Sequence, residues 1–189
     1  TAVEAAIANR RSRREFGDRP LSRRDLGQLL WAAQGVTERS SGHRAAPSAG
    51  ALYPLELYVA VGRPGVETLD SGVYWYDPGA HELVRGRAEN VQPALRRAAH
   101  DQAVVGDGAV DIVICAVDER TTRKYGDRGR LRYVPMEAGH AGENVYLQAE
   151  ARSLSTVTIG AFEDDRVLES LDAPADQRPL YLVPVGTRP

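Results

Sequence analysis

Gly72–Val84 reads GVYWYDPGAHELV, two short runs of apolar and aromatic residues on either side of Asp77-Pro78-Gly79. Val, Tyr and Trp favour a pleated, half-buried strand, and adjacent Pro and Gly mark a turn. The stretch predicts a hairpin in which Gly72–Asp77 pairs with Glu82–Val84. Hairpins are antiparallel, so the chain is not a repeating strand–helix–strand array. Leu55–Val61 (LELYVAV) alternates well enough for another strand. Asp111–Val117 reads as a buried one, within the apolar run Val110–Val117 (VDIVICAV), and Thr156–Ile159 and Leu180–Val185 read as two more.

Helical patterns lie between these strands. Thr1 and Glu4 have the spacing of a capping box, which predicts a helix running to about Arg10. Ser22, with Asp25 three residues on, opens a second helix whose Leu26, Leu29, Leu30 and Ala33 share one face before Gly35. Further helices are expected over Val91–His100, over Arg132 to about Ser153 with Pro135 near its start, and over Asp164–Leu171. The polar segment from Val36 to Ala46 reads as a loop. Hairpins mixed with helices imply an α+β fold, a mostly antiparallel sheet flanked by helices. With 189 residues and no repeat, low-complexity tract or linker, a single domain over 1–189 is expected.

The formal net charge of −2 gives no overall attraction to nucleic acid or to an anionic membrane. No apolar stretch reaches the roughly 20 residues that span a bilayer, so a cytoplasmic protein is expected. Cys115 has no second cysteine to pair with and lies in an apolar run, which makes it a buried structural thiol.

Of the 24 basic residues, one is lysine: Lys124, directly followed by Tyr125. Arginine stays protonated, whereas an ammonium can lose its proton and act as a base. A chain so biased toward arginine therefore places its single titratable amine beside a phenol. Arg10-Arg11-Ser12-Arg13-Arg14 is suited to phosphate oxygens, although such a run is equally a solvated basic face. Ala46–Pro54 (APSAGALYP) has small side chains that let backbone approach a flat ligand, or simply turn tightly into the next strand. Glu137-Ala-Gly-His140-Ala-Gly-Glu-Asn144 puts two glycines in mid-helix, which calls for a close helix–helix seam, within the chain or across a dimer. His140 is a candidate base, but no histidine spacing suggests a metal site. Ile159-Gly160-Ala161-Phe162 and Val183–Arg188 each close a strand with a glycine.

In chain order, Arg11-Ser12-x-Arg14-x-Phe16, Pro47-Ser48-Ala49-Gly50-Ala51-Leu52-Tyr53-Pro54, Lys124-Tyr125-Gly126, Glu137-x-x-His140 with Asn144, Ile159-Gly160-Ala161-Phe162 and Pro184-Val185-Gly186 resemble the flavin-dependent nitroreductase superfamily. The resemblance runs from Arg10 to Arg188 and is greatest to the SagB/ThcOx-type branch, dehydrogenases of thiazole and oxazole peptide biosynthesis. It implies a sandwich that dimerises through long central helices, with FMN between the protomers. Arg10, Arg11, Ser12 and Arg14 would hold the FMN phosphate and ribityl tail, with Arg188 as a further phosphate contact. Pro47, Ser48, Ala49 and Leu52 would reach the isoalloxazine ring from the partner, and Gly160 and Ala161 would meet the ring edge near N5. Lys124 and Tyr125 occupy the pair implicated in removing the substrate proton, assisted by the nearby Arg120, Arg123 and Arg128.

The expected activity is oxidation of a peptide-derived azoline, possible within a synthetase complex. The alternatives are an NAD(P)H-dependent nitro or quinone reductase, and a flavin-binding partner without turnover. Reduction of the flavin by NAD(P)H distinguishes the first alternative, and indifference to loss of Lys124 the second.

Overall fold

A computed structural model describes residues 2–189, so Thr1, the expected cap of the first helix, lies outside the described residues. In chain order the helices are α1 (Val3–Asn9), α2 (Arg23–Gln34), α3 (Gln92–Ala98), α4 (Val104–Asp107), α5 (Glu119–Tyr125), α6 (Val134–Ala151) and α7 (Asp164–Leu171). The strands are β1 (Val36–Glu38), β2 (His43–Arg44), β3 (Leu55–Val61), β4 (Gly72–Asp77), β5 (Glu82–Arg85), β6 (Val110–Ala116), β7 (Leu154–Thr156) and β8 (Arg178–Thr187).

The anticipated hairpin, β4–β5, forms one margin of a six-stranded sheet in the order β5-β4-β3-β6-β8-β7. Every neighbouring pair in it is antiparallel. Leu55, Leu57, Val59 and Val61 of β3, with Ile112 and Ile114 of β6, pack against α2 and α6. Tyr58, Ala60, Val113 and Cys115 point to the other face, against Leu95 of α3 and Val167 and Leu171 of α7. The architecture is α+β with helices on both faces. All seven residues of β3 are therefore buried, and the alternation in its sequence separates two cores rather than core from solvent. Truncating Leu57 to Ala would cost about 2–5 kcal/mol.

Local chemistry explains the helix ends. Ser22 caps α2 by accepting from Asp25 N at 3.0 Å, and its hydroxyl donates to Asp25 Oδ2 at 2.6 Å. The helix ends at Gly35, where the backbone turns extended and the Trp31 ring occupies the space a Cβ would need. Pro135 sits in the first turn of α6, where its missing N–H has no helical partner to lose. A π-helical turn, Gly129–Tyr133, precedes α6 where the pattern predicted continuous α-helix from Arg132.

Two further expectations are corrected, and a third is narrowed to one of its two alternatives. The segment 36–46 contains the β1–β2 hairpin, whose strands are too short to register as a period. The strand expected over Thr156–Ile159 lies earlier, at β7, because Thr158 leaves the ladder and donates its N–H to the Tyr146 hydroxyl at 2.9 Å. Ile159 rejoins β8 through a bridge to Leu182. Within the chain, the glycines of α6 form no tight helix–helix seam. Gly139 is exposed with open space beside it, and Gly142 meets Thr158 and Tyr181 at ordinary contact distance.

Candidate active site

Two clusters lie toward opposite ends of α6. At its C-terminal end, the run after α1 is laid along the margin of the sheet: Arg13 N donates to Thr156 O at 2.9 Å and Gly17 N to Thr187 O at 2.8 Å. This pins an otherwise irregular basic segment, and a cleft of about 470 Å³ opens among Arg11, Ser12, Arg13, Arg14, Ser155 and Arg188, with Glu15 as the one carboxylate side chain in its lining. Ser12 Oγ shares a 3.0 Å hydrogen bond with the Tyr146 hydroxyl. Arg188 and Arg13 both reach Glu150 Oε2, at 2.6 and 3.5 Å, so one carboxylate orients two guanidiniums. Arg11 and Arg14 have no carboxylate partner among the described residues and are exposed. Arg13 Nε and Ser155 Oγ are buried without a hydrogen bond. Such donors around a cleft suit the oxygens of a phosphate. Arg10 points elsewhere: its guanidinium lies 5.0 Å over the Tyr146 ring and 3.5 Å from Glu143.

Gly160 and Ala161 follow Thr158 by two and three residues, close to the Ser12–Tyr146–Thr158 chain. Both are exposed, and their backbone N–H groups have no acceptor among the described residues. Gln102 Nε2 holds Ala161 O at 3.0 Å and fixes the turn.

At the N-terminal end of α6, the Pro47–Pro54 loop is clamped from several sides. His140 Nδ1 lies 3.3 Å from Pro47 O, Ser48 Oγ accepts from Tyr53 N at 2.9 Å, and Arg120 donates to Tyr53 O at 3.1 Å. Above the loop stand Lys124 and Tyr125, the last residues of α5. A Cβ on Gly50 would lie 2.8 Å from Tyr125 Oη and 3.0 Å from Lys124 Nζ, and Gly50 has φ +67°. Glycine suits both demands without displacing either side-chain tip, and the structure thereby joins two motifs more than 70 residues apart in sequence. Lys124 Nζ sits 5.2 Å from the centre of the Tyr125 ring, itself edge-on to Tyr133. Lys124 is exposed on the single chain. Arg120 and Arg123 contribute less positive field than their sequence positions suggest, because Glu56 and Glu119 neutralise them.

Beneath the loop lies Glu137, 2% exposed. Burial pushes its carboxyl up to about 7, while Ser48, Arg44 and Gln34 pull the other way. It is the site residue whose role sequence reading missed. A carboxylate beside two small-residue positions in a helix carries no sign of burial until the loop folds over it.

Six residues separate His140 from Tyr146, about 9 Å along the helix, and Glu137 and Glu150 are about 20 Å apart. The arginine cleft and the Lys124 cluster of one chain are thus two separate groups toward opposite ends of α6.

The sequence pattern of the nitroreductase family matches residues 7–187. The chain belongs to the nitroreductase family. Members of this family generally use FMN, and the exposed arginines, Ser12 and unpartnered donors of the cleft fit the phosphate of such a cofactor. MJ1384 of Methanocaldococcus jannaschii, whose name places it among nitroreductases, is 45% identical over 186 residues, covering 98% of this chain and 91% of that protein. The microcin B17-processing protein McbC of Escherichia coli is 30% identical over 161 residues, 84% of this chain and 58% of McbC. Among solved structures, a protein of Ralstonia eutropha JMP134 named as a nitroreductase aligns with TM-score 0.87 at 28% identity, covering all of this chain and 84% of the other. A chain of the E. coli microcin synthetase McbBCD complex with truncated pro-MccB17 bound aligns with TM-score 0.80 at 26% identity, covering all of this chain and 74% of the other. This nitroreductase-family chain has no helix, among the described residues, that is long and apolar enough to cross a membrane.

Proposed function

We propose that the chain is an FMN-dependent dehydrogenase that oxidises a peptide-derived azoline, or a ring of similar chemistry, with Lys124 as the base and Tyr125 as its partner. The observation that carries this reading is the meeting of Lys124 Nζ and Tyr125 Oη on the Gly50 backbone. Aromatising a thiazoline or oxazoline breaks two C–H bonds: a proton leaves one carbon and a hydride its neighbour. The proton passes to the Lys124 amine, which serves as base in its neutral form, and the phenol of Tyr125 orients that amine or relays the proton. When bound, FMN supplies the two-electron acceptor for the hydride. Arg11, Ser12, Arg14 and Arg188 would hold its phosphate and tail, and the free N–H groups of Gly160 and Ala161 would meet the ring edge.

The separation of the two clusters supports a homodimer in which Pro47, Ser48, Ala49 and Leu52 of one copy complete the cleft of the other. Exposed Val3, Ile7, Leu131 and Met136, with open space at Gly139, offer a surface for that pairing. We read 1–189 as one such FMN-binding domain. Its likeness to McbC and to a chain of McbBCD supports a modified-peptide substrate and a synthetase partner.

A second reading, an NAD(P)H-dependent nitro or quinone reductase, draws on the similarity to MJ1384 over nearly the whole chain. Lys124 is then incidental. Anaerobic mixing of the FMN-loaded protein with an azoline-containing peptide, and separately with NAD(P)H, decides between them. Bleaching of the flavin by the peptide is expected. Bleaching by NAD(P)H alone transfers the assignment to the reductase.

A further inference from the structure

We propose that a cavity beside the Lys124 cluster is a carboxylate-binding pocket that selects the substrate through Arg44. Pairing of β3 with β4 runs from Val61 opposite Gly72 to Tyr58 opposite Trp75 and stops, although both strands continue beyond that point. Where they part, a cavity of about 400 Å³ opens, lined by Gln34, Arg44, Glu56, Trp75, Asp77 and Arg120 among others.

The charges around it are not equally available. Glu56 accepts from Trp75 Nε1 at 2.6 Å and pairs with Arg120, which also donates to Tyr53 O. Asp77 Oδ1 is committed to the turn through Gly79 N and Ala80 N. Arg44 makes no ion-pair contact: Nη1 donates to Gln34 Oε1 at 3.0 Å and the guanidinium lies 4.7 Å over the Tyr53 ring, with Glu56 and Glu137 acting on it from farther off. Half-burial disfavours its charge, so an incoming anion would relieve a cost already present. Gln34 is 1% exposed, and its Nε2 donor closes no hydrogen bond of ordinary length, although Gln34 also acts on the buried Glu137 carboxyl. A guanidinium with no carboxylate in contact, next to an amide donor that closes no hydrogen bond of ordinary length, matches the two oxygens of a carboxylate. Glu56 is already paired with Arg120 and Asp77 adds a further negative charge, so the cavity offers one free guanidinium charge, which suits a single negative charge better than a doubly charged phosphate.

Position links the pocket to the reaction. Arg120 and Lys124 lie one turn apart on α5, roughly 5–6 Å between their Cβ atoms. A carboxylate on Arg44 would leave the rest of a small molecule or peptide arm directed toward Nζ. This last step rests on the reading of Lys124 as the reacting end; the anion site itself does not.

The test is fluorine NMR titration of the FMN-loaded full chain with para-fluorobenzoate, para-fluorobenzamide and inorganic phosphate, repeated for Arg44→Gln and Gln34→Glu. The second variant hands Arg44 an internal carboxylate and preserves side-chain size, so it remains informative if Arg44→Gln folds poorly. Para-fluorobenzoate should bind at least about tenfold more tightly than the amide, and each folded variant should lose about tenfold in affinity. Equal binding of acid and amide, tighter binding of phosphate, or unchanged affinity in Gln34→Glu overturns the proposal. Flavin content is read separately from the visible spectrum. A protein that binds no FMN yet holds para-fluorobenzoate through Arg44 retains the pocket and loses the flavin reading, and the converse result separates them the other way.

Discussion

The two clusters on α6 are built on opposite physical plans. At the C-terminal end, exposed arginines stand on backbone pinned to the sheet, and charge dominates the cleft. At the N-terminal end, a small-residue loop is trapped between Lys124, Tyr125, His140 and the buried Glu137, and shape does the positioning. The first leaves Arg11 and Arg14 without carboxylate partners, while Glu150 orients Arg13 and Arg188. The second packs the tips of Lys124 and Tyr125 against the Gly50 backbone. Cofactor retention and turnover should therefore fail separately when the two ends are mutated.

The largest expected effect tests the second region. Lys124→Arg keeps the positive charge but cannot accept a proton, and should lower azoline oxidation by about 10²–10⁴-fold with FMN content unchanged. Tyr125→Phe should also slow the reaction without altering the flavin spectrum. Stopped-flow flavin reduction measures both, and an unimpaired Lys124→Arg enzyme would remove the base from this end. Next, Arg11→Ala and Arg14→Ala should release FMN, because a charge-assisted contact is worth about 1.5–3 kcal/mol, or roughly ten- to more than a hundredfold in affinity. Flavin-fluorescence titration checks this. Retained affinity with lost turnover would reverse the roles of the two regions.

Glu137 sharpens the comparison through pH. Its carboxyl is raised by burial from 4.5 to about 7, so between those values the folded chain binds more protons than the unfolded one. Stability then falls as pH rises through that window. The buried carboxyl of Asp111, raised from 3.8 to about 7, adds to the same slope. Glu137→Gln should flatten the fall of melting temperature by an amount worth up to roughly 3 kcal/mol, leaving the contribution of Asp111. An unchanged slope would mean that Glu137 is ionised throughout. The smallest effect is expected for Gly50→Ala. The left-handed conformation costs a non-glycine residue about 1–2 kcal/mol, and the new methyl must move Lys124 Nζ and Tyr125 Oη. Turnover should drop more than flavin affinity, and equal losses in both would mean that the two ends are coupled.

The sequence by itself determined the local grammar: the β4–β5 hairpin through Asp77-Pro78-Gly79, the Ser22 cap, the terminating Gly35 and the positions of most strands and helices. Those features depend on residues within a few positions of one another, which a linear pattern records. It also singled out Lys124, through composition, and the arginine–serine run, through charge. Tertiary structure alone decided which of these meet. It set Lys124 and Tyr125 on Gly50, divided the arginines between Glu143, Glu150 and an open cleft, and buried Glu137 beneath a loop. It also parted β3 from β4 around Arg44. The reason is that burial and charge pairing join residues tens of positions apart. A carboxylate or guanidinium reads the same in sequence whether it ends in water, in an ion pair or alone in a cavity.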